Sequence, residues 1–261
     1  MQPQEKIDPP AERKIAVITG ASRGLGRSMA LHLAKRGVDI VGTYREAKAQ
    51  GDEVVAAVEA CGARAVMLQM DVTHFPDIEA FAAALPETLE AAFGRSTFDY
   101  LINNAGHGNY TGIAETSEEA FDRLYAAHLK APYFLTQMLL PTIVDGGRIV
   151  NISSGLARFS SPGSSAYAMM KGGVEVFTRY LARELGPRRI AANTIAPGAI
   201  ETDFGGGRVR DDADMNKMVA SMTAQGRVGL PDDVGSAVAA LLSDSGWITG
   251  QRIEVSGGMM V

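Results

Sequence analysis

The sequence has little of what several classes of protein require. Cys61 is its one cysteine, so no disulfide can form within the chain. No stretch approaches the roughly 18 consecutive apolar residues of a membrane-spanning helix. The chain also begins with polar residues, where a secretory signal peptide would need an apolar stretch. We therefore expect a cytoplasmic protein of a reducing compartment, with no membrane partner.

Concentrated charge of one sign is missing as well. The net charge is -5, and the lysines and arginines are scattered along the chain. A nucleic-acid partner needs a positive surface, so we expect none. We also predict no metal site. A small-molecule substrate fits this composition better than a polyanion does.

What the sequence does have is enough apolar material for a full core. It contains 261 residues, of which 46% are hydrophobic and 21% are charged. Residues 1–12 carry prolines and no apolar period, and we expect them to form a flexible N-terminal arm. No proline- or glycine-rich linker divides the remainder, so residues 13–261 are predicted to form a single domain.

Short apolar runs alternate with longer helical patterns along this domain. Such alternation predicts an α/β fold, in which a doubly wound parallel sheet of about seven strands has helices on both faces. The helical patterns cover 25–36, 47–61, 78–93, 118–140 and 166–185. The predicted strands lie in KIAVITG, VDIVGTY, ARAVMLQM, FDYLINNAG, GRIVNISS, RIAANTIAPG and QRIEVSGG. The glycine-rich, charged segment 199–225 follows a strand end and is predicted to be a substrate lid.

A glycine-rich turn follows the first predicted strand. Gly20, Gly24 and Gly26 lie between that strand and the next helical pattern. Glycines at this point let the backbone approach a pyrophosphate, and the helix N-terminus offers it free N–H groups. An ordinary strand-to-helix turn is the alternative, but the position at the first strand favours a dinucleotide site.

This turn is the first of several sequence landmarks that occur in a fixed order. They are TGASRGLG at 19–26, NNAG at 103–106, NISS at 151–154, the Tyr167/Lys171 pair, PG at 197–198 followed by Thr202, and a closing ITGQRIEVSGG. Together they resemble the short-chain dehydrogenase/reductase family over residues 13–258. The chain looks most similar to the 3-ketoacyl-(acyl-carrier-protein) reductase type, although sugar and alcohol dehydrogenases share these landmarks. The resemblance implies a Rossmann-like fold and an NAD(P)-dependent oxidoreductase that interconverts a carbonyl and a secondary alcohol.

The same resemblance supplies a set of cofactor-binding positions. These are Gly20, Ser22, Arg23, Gly24, Leu25, Gly26, Tyr44, Arg45, Asp71, Val72, Asn104, Ala105, Gly106, Tyr167, Lys171, Pro197, Gly198, Ile200 and Thr202. Family members that prefer NAD carry an acid where this chain has Tyr44. Arg23 and Arg45 could instead clamp a 2′-phosphate, so NADP(H) is favoured over NAD(H). The alternative is that both arginines are solvated surface charges.

Ser154, Tyr167 and Lys171 are the predicted catalytic residues. Residues four apart on a helix share a face, so Tyr167 and Lys171 point the same way. A nearby ammonium would lower the pKa of the tyrosine, which is otherwise near ~10, toward neutrality. The resemblance implies that Tyr167 is the general acid/base, that Lys171 also holds the nicotinamide ribose, and that Ser154 polarises the substrate oxygen.

His128 is a departure from the family pattern. It stands where many members have an asparagine that holds a water and relays protons to the lysine. Imidazole both donates and accepts hydrogen bonds and titrates near neutrality, so His128 could take over that relay. A histidine packed between helices is the open alternative.

Loops at the carboxyl ends of the strands should line the substrate cleft. Ser154, Leu156, Tyr110 and Phe159 are the candidate substrate contacts, and Arg158 and Arg208 could meet an anionic group. A 3-ketoacyl thioester or similar ketone is favoured, with a sugar or another alcohol as the alternative. The resemblance also implies a homotetramer or homodimer. A non-catalytic NADP(H) sensor on the same fold is the rival function.

Overall fold

The computed structural model describes residues 13–244 and 246–261. The strands of this part are β1 (Ile15–Ile18), β2 (Asp39–Tyr44), β3 (Ala65–Gln69), β4 (Phe98–Asn103), β5 (Ile143–Ile152), β6 (Ala191–Pro197) and β7 (Arg252–Val255). All pair in parallel, in the order β3-β2-β1-β4-β5-β6-β7. The predicted α/β class and the doubly wound, Rossmann-like parallel sheet are confirmed. The strand order reverses between β1 and β4, where such sheets bind their ligands.

Helices cover both faces of this sheet. They are α1 (Gly24–Ala34), α2 (Lys48–Ala60), α3 (Phe75–Phe93), α4 (Glu118–Tyr125), α5 (Ala131–Leu139), α6 (Ser165–Glu184), α7 (Arg208–Asp211), α8 (Ala213–Ser221) and α9 (Pro231–Asp244). One apolar core packs α1, α2 and α9 on the sheet through residues such as Leu33, Val58 and Val238. The opposite core packs α3, α5 and α6, with Phe81, Leu85 and Leu135 among its buried residues.

The predicted helix over 118–140 is interrupted. A π-helical turn, Ala126–Lys130, separates α4 from α5 and carries His128. In a continuous α-helix the His128 carbonyl would accept from the N–H of residue 132, and Pro132 has none. A wider turn accommodates that missing donor, and such turns are frequent at functional sites.

The segment 199–225 contains a 3₁₀ turn (Phe204–Gly207) and the two short helices α7 and α8. We call it the lid. The predicted arm, residues 1–12, lies outside the described residues. Within those that are described, no helix combines the length and the apolar character that crossing a membrane would need.

Candidate active site

The glycines of the turn are required by a positive φ angle or by a close contact. Gly20 and Gly24 have positive φ angles of 66° and 54°. A Cβ at Gly26 would lie 2.1 Å from the Gly20 carbonyl oxygen. The turn closes this tightly at the N-terminus of α1, where helix N–H groups and the helix dipole favour an anion. These residues therefore fit the pyrophosphate of a dinucleotide.

The NNAG segment is fastened to this turn by Thr19. The Thr19 hydroxyl accepts from the backbone N–H groups of Asn104 and Ala105, both at 2.9 Å. In return, the Asn104 amide donates to the carbonyls of Thr19 at 2.8 Å and Gly20 at 3.1 Å. Asn104 therefore braces the turn with its side chain. Thr19 was not among the predicted site residues, although its position directly before Gly20 was a signal for it.

The remaining predicted cofactor positions lie at the same edge of the sheet. Asp71 follows β3, and its carboxylate accepts from the Thr73 N–H at 2.8 Å and the Thr73 hydroxyl at 2.7 Å. Thr202 lies against the glycine turn, because a Cβ at Gly24 would be 3.7 Å from its methyl group. Of the other positions of the set, Ser22 lies in the turn, Leu25 in the first turn of α1, Val72 after β3, and Pro197, Gly198 and Ile200 at or after the end of β6.

Both arginines of the proposed phosphate clamp are exposed and paired with carboxylates. Arg23 lies 3.2 Å from Asp203 of the lid, and Arg45 lies 3.1 Å from its neighbour Glu46. Tyr44, at the end of β2, fills the position that an acid holds in NAD-preferring relatives. A bound 2′-phosphate would compete with these acids for the guanidinium groups.

Ser154, Tyr167 and Lys171 come together as predicted. The Ser154 hydroxyl lies near enough to the Tyr167 hydroxyl to lower the pKa of the tyrosine, and Ser154 Oγ accepts from the Leu156 N–H at 3.2 Å. Lys171 Nζ donates to the Ile152 carbonyl at 2.7 Å and lies 5.5 Å from the centre of the Tyr167 ring. The side chains of Tyr167 and Lys171 are buried.

The electrostatics of this trio differ from the expectation. Burial raises the pKa of Tyr167, with a smaller contribution from Tyr110, and the hydrogen bond to Ser154 offsets only part of that rise. Burial also lowers the pKa of Lys171 to about 7. Removing both groups from water penalises the phenolate and the ammonium alike. The predicted lowering of the tyrosine pKa by the lysine is therefore not found: burial raises that pKa, and Ser154, not Lys171, is the group that lowers it.

His128 is buried next to the catalytic tyrosine. Its ring meets that of Tyr167 edge-on, with the centroids 5.1 Å apart. Its Nε2 lies 2.6 Å from the His107 carbonyl oxygen and 3.3 Å from the His107 backbone nitrogen. The shorter contact is to an oxygen that can only accept, which assigns the proton to Nε2. A Cβ at Gly106 would lie 2.7 Å from Nδ1, which is buried and has no hydrogen-bond partner among the described residues.

This geometry favours packing over a proton relay for His128. Burial, and after it the charge of Lys171, lowers the pKa of its imidazole well below the usual value. The ring is therefore neutral at physiological pH, and its remaining lone pair faces Gly106. It holds the backbone of Gly106 and His107 in place.

Two aromatic side chains cover Tyr167 from the substrate side. The Phe204 ring, on the lid, lies 5.8 Å from that of Tyr167 between centroids. A Cβ at Gly205 would lie 2.5 Å from the Tyr110 ring, and one at Gly108 would lie 2.9 Å from Phe204. Tyr110 was predicted and Phe204 was not, since only the fold shows which lid residue reaches the tyrosine.

The other predicted substrate residues separate into two groups. Leu156 packs in the small apolar cluster that contains Tyr167. Phe159 lies instead in a cluster with Val219, Val228 and Met259, under the lid. Arg158, which was expected to be able to meet an anionic substrate, is instead engaged by other residues of the chain. It makes two contacts with Glu254 at 3.0 and 3.1 Å, and it donates to the Met259 carbonyl at 2.7 Å.

The chain is similar to known proteins over nearly its whole length. A family model described as Enoyl-(Acyl carrier protein) reductase matches residues 20–260. The hydroxynaphthalene reductase-like protein Arp2 of Metarhizium brunneum is 36% identical, over 94% of each chain.

Two solved structures are similar in sequence and in fold. The angucycline C-6 ketoreductase LanV with bound NADP has a TM-score of 0.90 at 34% identity, over 95% of each chain. The promiscuous reductase LugOII, which catalyses keto-reduction at C1 during lugdunomycin biosynthesis, has a TM-score of 0.90 at 37% identity. That match covers 95% of this chain and 98% of the other.

Proposed function

This chain belongs to the short-chain dehydrogenase/reductase family, and on that basis we propose that it reduces a ketone of a fused-ring aromatic compound with NADPH. The placement of Ser154, Tyr167 and Lys171 around one point at the end of β5 is the observation that carries this proposal. A non-catalytic sensor would not need these three side chains to be held together. The rival function therefore has little support from the site.

The three side chains divide the work on the carbonyl. NADPH, when bound, supplies a hydride to the carbonyl carbon. Tyr167 donates its hydroxyl proton to the carbonyl oxygen as general acid. Ser154 Oγ already accepts from the Leu156 N–H, which leaves its own proton free to hold the same oxygen. Lys171 is held by its hydrogen bond to the Ile152 carbonyl, and it can pass a proton toward Tyr167.

The raised pKa of Tyr167 suits its role as the proton donor in reduction. A phenol whose pKa is raised by burial keeps its proton at neutral pH, and a protonated donor is what reduction needs. Alcohol oxidation would need the phenolate, which burial disfavours. The pKa of Lys171, about 7, lets that side chain give up a proton near physiological pH.

NADP(H) is the cofactor that these residues fit best. LanV was crystallised with NADP bound, and this chain shares its fold and 34% of its residues. Arg45 directly follows the end of β2, Arg23 lies in the glycine turn, and β2 ends in Tyr44 rather than in an acid. We assign the 2′-phosphate to these two arginines.

The aromatic cover over Tyr167 supports a fused-ring substrate. Hydroxynaphthalene and angucycline, named in two of the relatives, are both fused aromatic frameworks. Tyr110 and Phe204 offer ring faces and edges beside the reacting tyrosine, where a flat ring system could replace their present contacts. The 3-ketoacyl thioester favoured by the sequence stays a prediction.

A pair of ketones with the same skeleton tests the substrate class. NADPH oxidation should be followed with 1-tetralone, whose second ring is aromatic, and with 1-decalone, its saturated counterpart. Aromatic contacts should favour tetralone about 2- to 12-fold in kcat/KM. Phe204→Leu should remove this preference, while Phe159→Leu should keep it. A preference for acetoacetyl thioester over both ketones would contradict the proposal.

Tyr167→Phe tests the mechanism. It should lower kcat by about 100- to 10,000-fold with little change in NADPH affinity, because only the proton donor is lost. Tyr180→Phe, on an exposed part of the same helix, is the matched control. Turnover that survives in Tyr167→Phe would refute the assigned role.

We also place the protein in the cytoplasm, as a homotetramer or homodimer. The face made by α4, α5 and α6 exposes Tyr125, Tyr133, Val176 and Tyr180, and this apolar area suits a second copy of the chain. Light scattering of the purified protein tests the assembly.

A further inference from the structure

A chain of alternating charges lies directly behind the catalytic serine. Arg252, on β7, donates through Nη2 to the Ser154 carbonyl at 3.2 Å. Its Nε bonds to Glu175 of α6 at 2.7 Å, and its Nη1 bonds to Glu254 at 3.2 Å. One guanidinium thereby joins the serine backbone to two carboxylates on two different elements.

Glu175 extends the contact to the residue before the serine. Its carboxylate accepts from the Ser153 hydroxyl at 2.7 Å, at the same oxygen that Arg252 uses. The side chains of Arg252, Glu175 and Glu254 are only 23%, 14% and 21% exposed. Solvent and salt screen these mostly buried ion pairs less than they screen surface pairs. The planar guanidinium group also fixes the direction of its hydrogen bonds as well as their length.

Arg252 contacts Ser154 just after the end of strand β5, before the next turn of the chain begins. Ser153 N–H still bonds to the Ile195 carbonyl at 2.7 Å, and β5 has already ended at Ile152. Ser154 is extended, with φ -157° and ψ 152°. Its carbonyl accepts from Arg252, and its hydroxyl lies near enough to Tyr167 to lower the pKa of the tyrosine. Because both groups belong to one residue, a shift of the Ser154 backbone away from Arg252 would carry the hydroxyl with it.

We propose that Arg252 is a positioning residue for Ser154, which holds the serine carbonyl so that the hydroxyl reaches Tyr167 and the substrate oxygen. This inference rests on the proposed function for the role of Ser154. Arg252 touches no reacting atom, and its effect on turnover passes through the serine. Small displacements of a catalytic group are costly, because reacting atoms must lie within hydrogen-bond reach.

A double-mutant cycle tests this inference. Arg252→Lys keeps the charge but loses the fork, and kcat should fall about tenfold, the effect of one charged hydrogen bond. The Kd of NADPH, followed by its fluorescence, should stay within about twofold. In a Ser154→Ala background, measured by single-turnover NADPH oxidation, Arg252→Lys should have no further effect.

Arg188→Lys is the matched control at the other end of β5. Arg188 also combines a carboxylate, Asp145 at 2.7 Å, with backbone carbonyls, those of Leu140 at 2.7 Å and Ile143 at 2.5 Å. Its replacement should lower Tm without lowering kcat. If Arg252→Lys does not fold, Glu175→Gln, which loosens the hold on Arg252, takes its place in the same cycle.

The outcomes separate the inference from the proposed function. Losses that multiply in the double mutant, or an unchanged kcat in Arg252→Lys, overturn the positioning role. A Ser154→Ala variant with full turnover overturns the proposed function instead. A crystal structure of Arg252→Lys gives a check independent of activity: the Ser154 hydroxyl should move from Tyr167, and a hydroxyl that keeps its position overturns the inference.

Discussion

Burial of Lys171 should cost the folded protein stability, and Lys171→Met should recover part of that cost. A lysine whose pKa falls from 10.5 to about 7 on folding costs the folded state roughly 5 kcal/mol when it is protonated. The variant also loses the hydrogen bond from Nζ to the Ile152 carbonyl, which costs about 1–3 kcal/mol. Below pH 7 we therefore expect Lys171→Met to be more stable than the natural chain by about 2–4 kcal/mol.

The difference should change with pH in one direction. Between pH 7 and about 10.5, the unfolded chain keeps the lysine proton and the folded chain releases it. The unfolded state then binds more protons, so the free energy of unfolding of the natural chain rises with pH across this window. Lys171→Met lacks this rise. The two stability curves should approach each other as pH rises and then cross, leaving the variant less stable by the lost hydrogen bond.

Urea unfolding at pH 6, 7, 8 and 9 measures this difference directly. Subtracting the two curves removes the titration of all groups that both proteins share. Lys35→Met, on an exposed part of the chain, controls for the loss of a lysine as such. A difference between the natural chain and Lys171→Met that stays flat from pH 6 to 9 would refute the desolvation argument. The variant should also lose ketone turnover, so stability and activity should move in opposite directions.

Two further substitutions test the cofactor site and the role of His128. Arg45→Ala should raise the Kd of NADPH about tenfold and that of NADH less than twofold, because only NADPH carries the 2′-phosphate. Arg27→Ala is the control. Equal losses of affinity for both cofactors would count against the arginine clamp. Gly106→Ala should destabilise the fold by about 1–3 kcal/mol in thermal unfolding, because its Cβ would lie 2.2 Å from His128 Cε1. His128→Asn should relieve that loss, whereas Gly172→Ala, where a Cβ meets nothing within 4 Å, should not destabilise the protein.

The closeness of Ser154, Tyr167 and Lys171 was predictable because the three residues lie within one strand–helix unit. Ser154 follows β5 directly, and Tyr167 and Lys171 are one helical turn apart at the start of α6. Chemistry that needs these three groups together constrains their separation along the chain. The alternation of strands and helices likewise predicted the sheet, since periodicity is a local property of the sequence.

The supporting contacts could not be predicted in this way. Thr19 and Asn104 are 85 residues apart, and Arg252 is 98 residues from Ser154. Arg158 appeared free to meet a substrate anion until the fold placed Glu254 beside it. For the same reason His128 looked equally suited to a relay and to packing. Only the direction of its two ring nitrogens, one toward the His107 carbonyl and one toward Gly106, decides between them.

Burial connects the perturbed pKa values of the site. The raised pKa of Tyr167 and the lowered pKa of Lys171 share desolvation as their largest cause, and the Phe204 ring lies 5.8 Å from that of Tyr167. Desolvation keeps Tyr167 protonated and brings the pKa of Lys171 close to neutral pH, where the lysine can release a proton. In this state Tyr167 can give its proton to a ketone. The burial that produces this state lowers the stability of the folded protein as long as Lys171 is protonated.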